Sequence, residues 1–169
     1  MPRYHAGVTA GQEVEIIEIV DYQPGWPGRY GGERDRVRIA LATANLRFEH
    51  IGSTAVPGLA GRPIVDLMLG APAATWAARD ELGARIVALG YQALGEAGLP
   101  GRLAFRRRTP LRAFDLALVE ADGPLWRDML ALRDYLRANP DEAAAYASAR
   151  RSAGHDKAAL ISALVAKTR

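Results

Sequence analysis

Apolar and polar residues alternate over residues 46–51, the period-2 pattern of a strand with one buried face. Residues 64–69 follow as a short apolar run broken only by Asp66, which predicts a second strand bearing a carboxylate. Period two returns over residues 112–119, where Phe114, Leu116 and Leu118 take one face and Asp115 and Ala117 the other. Residues 91–94 and 103–108 read as further strands flanking the loop 95–102. Helical spacing takes over elsewhere. Residues 33–44 place Val37, Leu41 and Ala44 on one side, and residues 74–89 align Leu82, Ile86 and Leu89 before Gly90 as a stop. Pro124 opens a third helix with a stripe of Leu125, Met129, Leu132 and Leu136. Asn139-Pro140 caps and starts a fourth, to about Arg151, and residues 157–167 form a fifth. Residues 14–20 read as a short strand. Residues 21–32, with two prolines and four glycines, read as irregular chain anchored by burial of Trp26. This order predicts an α+β domain with a small mixed sheet and extra C-terminal helices.

Between the first two strands lies His50-Ile-Gly-Ser-Thr-Ala-Val-Pro-Gly-Leu-Ala-Gly-Arg-Pro-Ile-Val-Asp66. Gly52 lets the backbone approach a ligand closely. The hydroxyls of Ser53 and Thr54, with neighbouring backbone N–H groups, are suited to holding a phosphate. Asp66, among apolar neighbours, is then placed to hold a cation against that phosphate. A Gly-rich turn followed by one buried, hydrogen-bonded aspartate accounts for the same residues without any ligand.

Composition narrows the classes. The chain has 169 residues, 49% hydrophobic and 24% charged, as in an ordinary soluble domain. Residues 1–13 are expected to form a flexible tail and residues 14–169 one domain. The net charge of +3 is too mild to argue for nucleic acid. The absence of cysteine excludes disulfides, zinc-thiolate sites and thiol catalysis. No apolar run approaches a membrane span, so membrane partners are not expected and a cytoplasmic location is.

The stretch from His50 to Ala60, with Arg62-Pro-Ile-Val-Asp66, resembles the signature of the GrpB family. Asp21-Tyr-Gln-Pro-Gly-Trp-Pro27, Gly98-Leu-Pro-Gly-Arg102 and Arg133-Asp-Tyr-Leu-Arg-Ala-Asn-Pro140 extend the resemblance over nearly everything from residue 15 onward. The resemblance implies a nucleotidyltransferase-superfamily fold, found alone or fused to dephospho-CoA kinase. It implies chemistry as well, because such enzymes hold divalent metal with carboxylates, two on one strand and a third on a neighbour. Here Asp66-Leu67-Met68 supplies one acid and then a thioether, a poor ligand for a hard cation. Where relatives carry a His-His-Leu-His run, this chain has Phe114-Asp-Leu-Ala117. If their strands are neighbours, Asp66 and Asp115 are the candidates to bind one Mg²⁺ or Mn²⁺ and to serve catalysis. The alternative for Asp115 is an exposed strand residue.

Arg102, Arg106, Arg107, Arg108 and Arg112 put five guanidinium groups within eleven positions. On a strand Arg106 and Arg108 share a face, and such a fork suits phosphate. A charged edge strand is the alternative, preferred for Arg107 and Arg108. Arg62, at the mouth of the loop where relatives carry lysine, and Lys157, on the last helix, are further ligand-binding candidates. His50 joins them as a group that orients the Gly-Ser turn. Two functions follow: a nucleotidyltransferase-type enzyme acting on a small molecule, or a module that binds a nucleotide or phosphorylated ligand without transfer. RNA binding through the arginines is disfavoured by the low net charge. The oligomeric state is not legible in the sequence.

Overall fold

The computed structural model describes residues 18–42, 45–153 and 157–168. The expected N-terminal tail and most of the strand expected over residues 14–20 lie outside them. Of that strand residues 18–20 are described, and Val20 is joined to Gly61 by a single antiparallel bridge.

The fold is α+β. Helix α1 spans Trp26–Leu41, β1 Arg47–Ile51, β2 Ile64–Ala71, α2 Ala73–Ala77 and α3 Arg79–Ala88. Then come β3 Gln92–Ala93, β4 Arg102–Thr109, β5 Arg112–Glu120, α4 Pro124–Ala138, α5 Pro140–Ala153 and α6 Lys157–Lys167. The five strands form one mixed sheet in the order β1-β2-β5-β4-β3. β2 and β5 run parallel at its centre, and every other pairing is antiparallel.

Three local expectations are corrected. The stretch expected to be irregular is helical from Trp26, through Gly28, Gly31 and Gly32. Each glycine costs a helix roughly 1 kcal/mol, but Pro27 presets the first turn. Trp26, Glu33, Val37 and Leu41 then bury one continuous face, which outweighs the local cost. That helix ends at Leu41, where Ala42 turns left-handed and its N–H bonds back to Arg38 O. The helix expected over residues 74–89 is two, broken at Ala78. Asn139 stands at the start of α5 as expected, its carbonyl accepting from Ala143 N–H at 3.0 Å, but its side chain serves the helix before it: Nδ2 donates to Tyr135 O at 2.8 Å, closing α4.

The sheet separates two apolar layers. On one face Leu67, Leu69, Phe105, Phe114, Leu116 and Leu118 pack against α1 and α3. Also on that side, Glu33 is nearly fully buried, accepting from Tyr91 Oη at 2.8 Å and Arg107 Nη1 at 3.4 Å. Arg107 therefore points away from Arg106 and Arg108, as strand alternation requires. On the opposite face Met68, Val119 and Trp126 form a small cluster, and Val56 and Leu59 of the Gly-rich loop join α4, α5 and α6 in another. Trp126 lies directly on Gly70, where an added Cβ would stand 2.5 Å from Cζ3. Gly70→Ala should therefore cost about 1–2 kcal/mol by overpacking and lower Tm by roughly 2–8 °C. An unchanged melting curve would show that Trp126 shifts freely. Among the described residues no helix is long and apolar enough to cross a membrane.

Candidate functional site

The site grows from the exit of β1. Gly52 leaves the strand at φ 72° and ψ −174°, a backbone conformation that essentially only glycine adopts. A Cβ there would stand 2.3 Å from Asp66 Oδ2, so the carboxylate rests on bare backbone. Ser53–Ala55 then form one 3₁₀ turn. Its first intrahelical bond is Ala55 N–H to Gly52 O, which leaves the amides of Ser53 and Thr54 ahead of the ladder. The Ser53 hydroxyl is seated against Gly61, where a Cβ would be 2.2 Å from its Oγ. It makes no hydrogen bond among the described residues. Two arginines of α4 secure the turn, with Arg137 Nε donating to Ala55 O at 2.9 Å and Arg133 Nη1 to His50 O at 3.2 Å.

Asp66 and Asp115 are register partners across the parallel β2–β5 pair. Their Cα atoms are thus adjacent, and both carboxylates leave the same face of the sheet. Met68 and Ala117 are the next partners on that face. Met68, where a second acid would serve a two-metal centre, is fully buried beneath Trp126. In the antiparallel β4–β5 pair Arg106 is the partner of Asp115. Asp115 Oδ1 accepts from Arg108 Nη1 at 3.0 Å and from Arg106 Nε at 3.4 Å. Arg108 is further held by Phe114 O and Arg107 O.

These groups line a cleft of about 430 Å³ between the sheet and the C-terminal helices. Gly52, Ser53, Arg62, Asp66, Arg106 and Asp115 all border it. So does Arg102 of the arginine cluster, and so do Arg133, Arg150 and Tyr146, which strand and loop patterns did not single out. Arg133 belongs to the 133–140 motif, a signal that was available; Arg150 reaches the cleft only through helix packing. Arg102 braces the loop after β3, its Nε and Nη2 donating to Glu96 O at 3.0 Å and Ala97 O at 3.1 Å. Burial pulls its pKa down, and the nearby Asp66 and Asp115 carboxylates partly restore it.

His50 and Thr54 are placed together behind the cleft rather than in it. His50 is the register partner of Leu67, on the α1 side. Its Nε2 meets Thr54 Oγ1 at 2.9 Å, and its ring stacks on Tyr30 with centroids 4.6 Å apart. Thr54 is fully buried. Burial, with Arg137 and Arg133 adding to it, lowers the His50 pKa to about 4, so the imidazole is neutral at pH 7. Lys157 begins α6, and its side chain lies outside the described residues.

For a metal, the donor set is thin. Among the described residues no three histidines or acids come together. Asp66 and Asp115 are the carboxylates among the residues lining the cleft, and one oxygen of Asp115 already serves two guanidiniums; Glu49, the register partner of Met68 on the same sheet face, is bound by Arg133 at 2.6 Å. The residues do not fit a two-metal centre.

Comparison with known proteins places the chain. Residues 16–166 match the family model described as GrpB protein. A UPF0157 protein of Pseudomonas aeruginosa is 34% identical over 153 residues, spanning 86% of this chain. The match takes in 60% of that relative, less than two thirds of its length. A crystal structure of the conserved protein GrpB from Enterococcus faecalis superimposes with a TM-score of 0.75 at 29% identity, covering 89% of this chain and 96% of the other. The Cid1 poly(U) polymerase, in a crystal structure with Mg 3′-dATP bound, superimposes with a TM-score of 0.51 at 13% identity. That match covers 73% of this chain and 40% of Cid1, and it shows a shared nucleotidyltransferase-like fold.

Proposed function

The chain belongs to the GrpB family, and on that premise we propose that its cleft binds a nucleotide or a phosphorylated small molecule. One observation carries the reading. The Ser53 hydroxyl, Arg62 and Arg106 converge on a single cleft from three separate segments. A phosphate needs both neutralisation and hydrogen bonds, and this set offers both. The Cid1 neighbour, which holds Mg 3′-dATP on the same fold, lends support to a nucleotide.

Transfer of a nucleotidyl or phosphoryl group is the fuller version of this proposal. It would use Asp66 and Asp115 to hold one Mg²⁺ or Mn²⁺, an ion that supplies charge neutralisation to the reacting phosphate. The burial of Met68 in the place of a further acid weighs against it. Binding without transfer is the reading the geometry supports best.

The double variant Ser53→Ala/Arg106→Ala tests it. Losing a hydroxyl and a charged donor should weaken ATP binding on the order of tenfold or more. The melting point should move little, because the Arg106 side chain is 42% exposed and its ion pair is worth little to stability. Calorimetric titration of ATP into both proteins reads the effect. Equal affinities would remove the cleft as the binding site.

A further inference from the structure

We propose that this cleft takes phosphate on arginine alone, without a divalent ion, and that Asp115 is a resident anion from which the ligand draws Arg106. The inference rests on the phosphate reading above and specifies how the charge is neutralised.

The argument begins with Asp115. Arg108 Nη1 lies 3.0 Å from its Oδ1 and also donates to Phe114 O at 2.9 Å, so this guanidinium is fixed to the strand it neutralises. Its side chain is only 22% exposed. A cation at Asp115 would sit within a few ångströms of that fixed positive charge, where like charges repel strongly in a partly desolvated site. Magnesium and manganese also need about six oxygen ligands. The next pair along the two strands offers Met68, fully buried, and Ala117. Asp115 is therefore already neutralised.

Arg106 is held differently. Its Nε is 3.4 Å from the same oxygen, a longer contact, and the side chain is 42% exposed on the cleft wall. A phosphate offers three acceptor oxygens and more charge than a carboxylate, so it outcompetes Asp115 for this fork. Arginines outnumber aspartates in the lining five to two, and four to two when Arg133, ion-paired to Glu49 and Asp134, is set aside. The positive excess a metal would bring is therefore already built into the walls.

The experiment is calorimetric titration of inorganic pyrophosphate, and separately ATP, in EDTA and in Mn²⁺, with wild type and Asp115→Asn. Wild type should bind in EDTA at least as tightly as in Mn²⁺, where the ion itself takes up part of the phosphate charge. Asp115→Asn should bind pyrophosphate about tenfold more tightly in EDTA, because the competing charge is gone. Wild-type binding that requires Mn²⁺, with loss in Asp115→Asn, overturns the inference and leaves the phosphate reading standing. Weaker binding of Asp115→Asn in EDTA overturns it as well. If wild type binds neither probe in either buffer, both readings fall. The two-buffer comparison on wild type stands even if the variant folds poorly, which a melting curve reports.

Discussion

Gly52→Ala should destabilise the protein by about 3 kcal/mol and lower Tm by roughly 6–12 °C. Two costs combine. The backbone at φ 72° and ψ −174° is strained for any side chain, and the new Cβ would overlap Asp66 Oδ2 at 2.3 Å. Asp66 must leave its seat or the turn must open, and either change disrupts the cleft. Pyrophosphate binding should therefore fall together with stability. Gly58→Ala is the control, since Gly58 also has positive φ, at 79°, but nothing stands within 4 Å of its added Cβ. That variant should lose only the conformational part, about 1 kcal/mol, and keep its binding. Equal losses in the two variants would show that the contact with Asp66 is unimportant.

Acid should weaken the fold through His50, well above the range where carboxylates titrate. In the folded chain the His50 pKa is about 4, against an ordinary value of 6.5. Below pH 6.5 the unfolded chain binds a proton that the folded chain refuses, so stability falls as pH falls. The loss accumulates down to about pH 4 and then stops, because both states are protonated. At pH 5 it should amount to about 2 kcal/mol relative to pH 8. Glu33 acts in a lower window. Although its burial opposes ionisation, hydrogen bonds from Arg36 and Tyr91 hold its pKa below the ordinary 4.5. Its contribution is present above that value and is lost as pH falls through the folded value. Denaturant unfolding across pH 8 to 4.5, in wild type and His50→Gln, separates the two. The glutamine variant keeps a hydrogen-bonding group for Thr54 and should show a flat profile above pH 5. A slope matching wild type would assign the acid sensitivity elsewhere.

Much of the fold was legible in the sequence because the strands report their burial, β5 through alternation and the central β2 through an apolar run buried on both faces. Phe114, Leu116 and Leu118 face one layer and Asp115 and Ala117 the other, as the period-2 pattern requires. The division of Arg106 and Arg108 from Arg107 followed from the same parity, and the apolar run of residues 64–69 placed Asp66 on a strand. The Gly-Ser turn carried its own signal, since a conformation that tolerates only glycine requires that residue. What misled was local propensity at the start of α1. Three glycines argue against a helix, and only the buried face running from Trp26 to Leu41 outweighs them.

The pairing of Asp66 with Asp115 belongs to the tertiary structure. Alternation sets which face a carboxylate takes; a parallel crossover decides which strand lies beside it and in what register. The same holds for His50 and Thr54, adjacent in sequence to the Gly-Ser turn yet carried behind the sheet by strand parity and the 3₁₀ turn. Arg133 and Arg137 reach that turn across more than eighty residues of chain, as the separations of 83 and 82 in their bonds to His50 and Ala55 show. Periodicity records whether a position is buried. It carries no information on which distant charge a buried position will meet, because that depends on how helices and strands close on one another over the whole chain.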